Sequence, residues 1–250
     1  MITKAPPGHS YIETADGSLT LYSEKFQEAC HSTSGALAET LLHYVEGCKI
    51  LERSQHFSPL MILEVGFGLG VGFLTTLSKM PPNVKWIFVS LELDQNLLQW
   101  FKDLHPELHL RWENNLLISE SDDFKLIIIQ GDARTSLPDF LRSQPMKFHA
   151  IYQDAFSPKR GEKLWTKQWF SILKSCSHEE VILSTYSASI SIRKSLHESG
   201  WGVQKGESFG TKRTSTRAVL NRETDPAILS QLDHSPTKAL VDSEEGLCPT

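Results

Sequence analysis

The stretch Ile62-Leu63-Glu64-Val65-Gly66-Phe67-Gly68-Leu69-Gly70 constrains this chain more than any other. A short apolar run, Leu60–Val65, stops at three glycines spaced by two, and an amphipathic stretch, Val71–Lys79, comes next. The run has the length of a buried strand, and the amphipathic stretch has the period of a helix. The glycines let the backbone turn tightly and approach a ligand with no side chain in the way. A strand, a glycine turn and a helix in that order belong to a parallel α/β sheet.

The same alternation continues. Strands are expected at Lys85–Leu93, Phe124–Gln130, Phe148–Gln153 and Val181–Thr185, and helices at Gln95–Leu104, Ser136–Arg142, Trp165–Ser175 and Ile190–Ser199. Nearly continuous apolar strands separated by helices imply a parallel sheet covered on both faces. The pattern changes at the end, where Trp201–Ser208 and Arg213–Leu220 read as strands joined at Phe209-Gly210-Thr211, too close to pair other than antiparallel. Before the first glycine turn, Tyr11–Tyr22 reads as a hairpin turning at Asp16-Gly17, and Ser34–Leu51 as one helix. The expected organisation is a hairpin and helix extension over 1–56, a Rossmann-like domain over 57–222, and an acidic, flexible tail over 223–250.

Composition excludes several classes. No apolar stretch reaches the roughly 18 residues of a membrane span, and Met1–Ser10 lacks the apolar core of a secretory signal, so a cytoplasmic location is expected. Cys30, Cys48, Cys176 and Cys248 form no Cys-x-x-Cys pair and read as free thiols. His105 and His109 lack the Glu of a zinc-protease helix and have Pro106 between them, so no metal is expected. Six acids and one base in residues 223–250 account for the whole net charge of −5. Just upstream, Lys205, Lys212, Arg213, Arg217 and Arg222 face Glu207 alone, so the sum does not exclude RNA, whose binding depends on local potential.

Three acids at successive strand ends narrow the ligand. Glu92 ends the strand after the glycine turn, where a carboxylate accepts both hydroxyls of a ribose. That serves NAD as well. Asp132, in Gln130-Gly131-Asp132-Ala133, is placed to accept an adenine amino group, and Glu64 stands two residues before Gly66, near the amino-acid end of S-adenosylmethionine. The NAD fingerprint has no regular counterpart to Asp132. Each residue also has a bland reading: a tight turn at the glycines, or an acid offsetting a helix dipole at Glu92 and Asp132. Their coincidence on one sheet favours S-adenosylmethionine, held by Glu64, Gly66, Gly68, Gly70, Glu92, Asp132, Ala133 and Asp154.

The fourth strand ends in Asp154-Ala155-Phe156-Ser157-Pro158-Lys159-Arg160, with Trp165 beyond. This block resembles the methyltransferase domain of the bifunctional tRNA 5-methylaminomethyl-2-thiouridine biosynthesis enzymes, the MnmC type. Three further blocks agree in order: Thr14–Leu21 with His31-Ser32 and Gly35-Ala36; the glycine turn with Phe73-Leu74; and Phe209–Arg213 with Arg217-Ala218. The resemblance spans roughly residues 11–219 and implies a class I S-adenosylmethionine-dependent methyltransferase fold. It implies methylation of the primary amine of 5-aminomethyl-2-thiouridine at the tRNA wobble position, without the flavin-dependent oxidase step of the bifunctional enzymes. The aminomethyl substrate is then made by a separate enzyme.

On that resemblance Asp154 orients the amine and accepts its proton, against the alternative of capping the following turn; Phe156 and Trp165 wall the pocket and stack on the base, against the commoner role of packing residues; and Tyr186 supplies a second hydrogen bond. Lys159, Lys212, Arg213 and Arg217 are expected on RNA phosphates, against the alternative of a solvated face. Leu69 and Gly72 replace the family's usual Thr and Asn, Ala29-Cys30 replaces a Tyr before His31, and Gly161-Glu162 replaces an Asn-Pro-like turn. Three competing readings stand beside this one: methyl transfer to another amine on a small molecule or a protein, a non-catalytic RNA-binding module, and an NAD-dependent oxidoreductase.

Overall fold

The computed structural model of the chain describes residues 4–13, 19–30, 36–208 and 214–243. A three-stranded antiparallel sheet comes first: β1 (His9–Glu13), β2 (Leu19–Ser23) and β3 (Glu28–Ala29). The expected turn at Asp16-Gly17 lies outside the described residues, but the strands flanking it pair in the antiparallel hairpin register. The main sheet has nine strands. These are β4 (Leu60–Val65), β5 (Trp86–Glu92), β6 (Arg111–Glu113), β7 (Leu116–Glu120), β8 (Phe124–Gln130), β9 (Phe148–Gln153), β10 (Ser177–Thr185), β11 (Gly202–Lys205) and β12 (Thr216–Val219). Their order is β11-β12-β10-β9-β4-β5-β8-β7-β6. The five central strands are parallel and β12 is antiparallel to β11, as the sequence predicts; β12 also pairs antiparallel with β10.

Side-chain alternation along the central strands divides the core in two. Leu63, Val89, Ile127 and Ile129 face a layer built by α5 (Ala133–Ser143), α7 (Lys167–Ser175), α8 (Ile190–Glu198) and α9 (Pro226–His234). Ile62, Phe88, Leu126 and Ile128 face the opposite layer, which holds α3 (Val71–Lys79) and α4 (Gln95–Leu104). Chain order reverses between β4 and β9, and the crevice outside the strand ends at such a switch point is where these sheets bind ligands.

Four features differ from the sequence reading. The predicted single helix begins as α1 (Ala36–Thr40), widens into a π-turn over Leu41–Glu46, breaks at Lys49 with φ 54°, and resumes as α2 (Ile50–Arg53). The widening needs Gly47: its N–H reaches back five residues to the Leu42 carbonyl, and a Cβ there would run into the His43 carbonyl. The β6–β7 hairpin was not anticipated. It turns at Asn114, with φ 56°, a conformation asparagine tolerates. α7 starts at Lys167, capped by the Thr166 hydroxyl, so Trp165 precedes it; the short α6 (Pro158–Gly161) lies upstream. The stretch read as a flexible tail carries α9, with Asp225 as its cap, Pro226 at its first position, and Ile228 and Leu232 buried four residues apart. Beyond it, Asp242 pairs with Arg134 and accepts a hydrogen bond from Thr166 at 2.7 Å. Among the described residues no helix is long and apolar enough to cross a membrane.

Candidate active site at the switch point of the sheet

A cleft of about 700 Å³ opens at the carboxyl ends of the central strands. Its floor is the β4–α3 turn. Gly66 has φ 95°, and a Cβ on it would lie 2.7 Å from the Asp154 carbonyl oxygen. Only glycine lets the turn sit against the end of β9, which the bond from Asp154 N to Val65 O (3.0 Å) also holds there. Gly68 and Gly70 are left-handed as well, with φ 54° and 74°. Gly68 lines the cleft, whereas Gly70 sits against Phe67 and Phe101 beneath it.

Glu92 stands at the end of β5. Its Oε2 accepts from Gly68 N at 2.9 Å and its Oε1 from Asp94 N at 2.8 Å. Burial pushes this carboxyl above the usual carboxylate range, and the two backbone donors oppose that push. The carboxylate is therefore held in one orientation, tied to the glycine turn. Asp132 ends the β8 segment, lines the cleft with Ala133, and caps α5 through Arg134 N at 3.0 Å. Capping and ligand binding are compatible here, because only one carboxylate oxygen takes the cap bond. A glycine-floored pocket with two carboxylates at adjacent strand ends fits an adenosine-bearing cofactor such as S-adenosylmethionine.

Glu64 does not reach the cleft. It is 1% exposed beneath α3, accepts from the Ser90 hydroxyl at 2.7 Å, and burial pushes its carboxyl well above the usual range. The side chain missing at Gly72 explains the placement, since a Cβ there would collide with Glu64 Oε1. The Gly72 departure noted in the sequence thus houses the Glu64 carboxyl.

The side of the cleft expected to take the acceptor gathers around Asp154. The Tyr44 hydroxyl donates to Asp154 Oδ1 at 2.5 Å. Burial, and then the Asp154 charge, push the Tyr44 phenol well above its ordinary value, so it stays a donor. The Tyr186 hydroxyl donates to Ala155 O at 3.1 Å, and its phenol is also pushed up, first by burial and then by Asp154. Phe156 lines the cleft and stacks on Phe26, with ring centroids 4.5 Å apart. Trp165 is fully buried behind this wall, not on its surface. Its ring meets Tyr186 edge-on at 5.9 Å, and its Nε1 donates to the Phe156 carbonyl at 2.8 Å. Trp165 therefore supports Phe156 and offers no face to a base.

Among the expected RNA contacts, Lys159 is exposed on α6, and Lys212 and Arg213 lie outside the described residues. Arg217 is half-buried in β12, opposite Ser184 of β10 and Gln204 of β11, and does not line the cleft. Among the described residues, the lysine and arginine that line it are Lys163 and Arg160.

Sequence reasoning missed Tyr44, Phe26, Glu28 and Cys30, all on the cleft wall. Tyr44 lies within the stretch Ser34–Leu51 read as one helix; its hydroxyl was the available signal, because a buried tyrosine needs a partner for it.

A family model described as S-adenosyl-L-methionine-dependent methyltransferase matches residues 95–221. The chain is 27% identical over 243 residues to an uncharacterised protein of Methanocaldococcus jannaschii, covering 93% of this chain and 65% of that one. It is 31% identical over 242 residues to the tRNA 5-methylaminomethyl-2-thiouridine biosynthesis bifunctional protein MnmC of an Azoarcus species. That match covers 89% of this chain and only 37% of the bifunctional protein. The solved structure of MNMC2 from Aquifex aeolicus is similar at a TM-score of 0.78 and 28% identity, covering 97% of this chain and 81% of that one.

Proposed function

We propose that this chain, which belongs to the S-adenosyl-L-methionine-dependent methyltransferase family, methylates the primary amine of 5-aminomethyl-2-thiouridine at the tRNA wobble position. Its Rossmann-like fold is that of MNMC2, to which it is similar over nearly its whole length. The observation that carries the acceptor reading is Asp154, held by Tyr44 at the end of β9 and in contact with the glycine turn. The names of the bifunctional relatives, which specify this tRNA modification, support the substrate.

S-adenosylmethionine supplies an electrophilic methyl group. Glu92 and Asp132 would hold its nucleoside, over Gly66 and Gly68. An aliphatic amine resembles lysine, with a reference pKa near 10.4, and enters mostly protonated. It must shed a proton before it can attack. Asp154 is positioned to orient the amine and accept that proton. Tyr44 fixes the carboxylate, and Phe26 and Phe156 exclude water from it.

A second reading changes the acceptor to another amine. Among the described residues seven carboxylates line the cleft, with Arg160 and Lys163 as its permanent cations, a balance that suits any cationic amine. The test is a transfer assay with labelled S-adenosylmethionine and tRNA from cells lacking this methylation, with Asp154→Ala as control. Appearance of 5-methylaminomethyl-2-thiouridine by mass, lost in the variant, supports the tRNA reading. Cofactor binding with no label in tRNA moves the acceptor elsewhere.

A further inference from the structure

The turn before β3 meets the loop after β9 residue by residue. Phe26 stacks on Phe156 at an interplanar angle of 23°. Gln27 Oε1 accepts from Arg160 Nη1 at 3.4 Å. Glu28 Oε2 accepts from Ser157 N at 3.3 Å and from Ser157 Oγ at 2.8 Å. Gln27 is held at φ 50°, a left-handed conformation that non-glycine residues adopt at a cost and that clusters at functional sites. It aims Glu28 at the loop. Glu28 also lines the same cleft as Asp154. Both Ser157 bonds end on Oε2, and among the described residues none ends on Oε1, which can face a ligand.

We infer that Glu28 is a second substrate-positioning carboxylate, which with Asp154 holds the acceptor as a cationic amine. The inference rests on the amine-methylation reading above and names two residues that divide the work. Asp154 takes the proton; Glu28 keeps its charge and binds a remaining N–H. Both carboxylates act on common neighbours. The Tyr186 phenol is raised by burial and then by Asp154 and Glu28. The Cys30 thiol, also on the cleft wall, is pushed up to about 12 by burial, with Glu92, Asp154, Asp94 and Glu28 adding to it. The carboxylate share of that push, unlike the larger share from burial, also favours an ammonium. The competing role for Glu28 is a latch that only fastens the N-terminal sheet to Ser157.

Full-length Glu28→Gln and Ser157→Ala separate the two. Glutamine keeps an acceptor oxygen for Ser157 and removes the charge, whereas Ser157→Ala weakens the latch and keeps the charge. Binding of 5-aminomethyluridine and of the neutral 5-hydroxymethyluridine is measured with S-adenosylhomocysteine present, alongside melting curves and KM and kcat. An opposite charge at close range favours an ion by roughly tenfold or more. Glu28→Gln is therefore expected to weaken the amine probe about tenfold, leave the hydroxymethyl probe unchanged, and raise KM far more than it lowers kcat. Ser157→Ala is expected to preserve the preference for the amine. Equal loss of both probes in Glu28→Gln, or an unchanged preference, overturns the inference. Wild-type protein that prefers the amine probe, with Glu28→Gln abolishing the preference, supports it even when tRNA takes no label, an outcome that overturns the tRNA reading alone.

Discussion

Tyr44→Phe tests whether the acceptor carboxylate is held by the π-turn. The substitution deletes one oxygen, which donates to Asp154 Oδ1 at 2.5 Å. The ring itself is kept, stacked on Tyr152 with centroids 5.2 Å apart, so little packing is lost. Hydrogen bonds to charged groups contribute about 1.5–3 kcal/mol. Each 1.36 kcal/mol is roughly a factor of ten in rate, so a bond spent wholly on orienting Asp154 gives about a 10- to 100-fold fall in kcat. Steady-state transfer of labelled methyl, with both substrates varied, reads this directly. KM for S-adenosylmethionine is expected to hold, because the end of the cleft proposed for the nucleoside is built from other residues. Because Tyr44 acts through Asp154, Tyr44→Phe is expected to cost nothing further in an Asp154→Ala background. A kcat within about threefold of wild type, or additive losses in the double variant, refutes the reasoning.

Buried groups and the glycine turn give three further expected outcomes. Glu64 is a buried carboxyl whose folded pKa is raised by desolvation, so it costs stability as pH rises from the ordinary carboxylate range through that raised value; Glu64→Gln is expected to raise the melting temperature at pH 8 and to leave cofactor affinity unchanged, and loss of affinity would instead make Glu64 a cofactor ligand. Gly66→Ala places a Cβ 2.7 Å from the Asp154 carbonyl at φ 95°, strain of about 1–3 kcal/mol, and calorimetry is expected to show S-adenosylmethionine binding weakened about tenfold or more, whereas an unchanged affinity would free the cradle from this contact. His149 accepts from Met61 N at 2.9 Å, and burial, with His178 and Arg53 nearby, depresses its pKa from 6.5 to about 4. Its contribution is present above about pH 6.5 and is lost as pH falls toward 4, so melting against pH is expected to flatten across that window in His149→Gln, and an unaltered slope would exclude the histidine as its source.

Legibility in the sequence divides along the range of the interactions. Strands β4, β8 and β9 and helices α3 and α4 have the boundaries that pattern predicts, because run, glycine and cap are neighbours in the chain. Glu92, Asp132 and Asp154 were visible for the same reason: each stands at, or within two residues after, the end of a strand whose length the apolar run sets. The π-turn was not legible, since it depends on Gly47 fitting over the His43 carbonyl. Nor was the inward turn of Glu64, which depends on space left by a residue eight positions on. Trp165 stood in the right motif, yet its burial behind Phe156 is a tertiary outcome.

The half of the cleft proposed for the cofactor is therefore local in sequence and the half proposed for the acceptor is not. Glu28 reaches Ser157 across 129 positions, and Tyr44 reaches Asp154 across 110. No periodicity or spacing rule spans such separations. A chain can keep every strand-end acid and still change its acceptor by altering the short segment Phe26–Glu28, which touches none of the cofactor-side acids through a hydrogen bond among the described residues. Selectivity among amines should accordingly respond to substitutions in that segment, while cofactor affinity should respond to the glycine turn and Glu92. Exchange of Phe26 for leucine is expected to raise KM for the acceptor and leave that for S-adenosylmethionine in place. Equal changes in both would show that the N-terminal sheet acts on the whole cleft rather than on its acceptor wall.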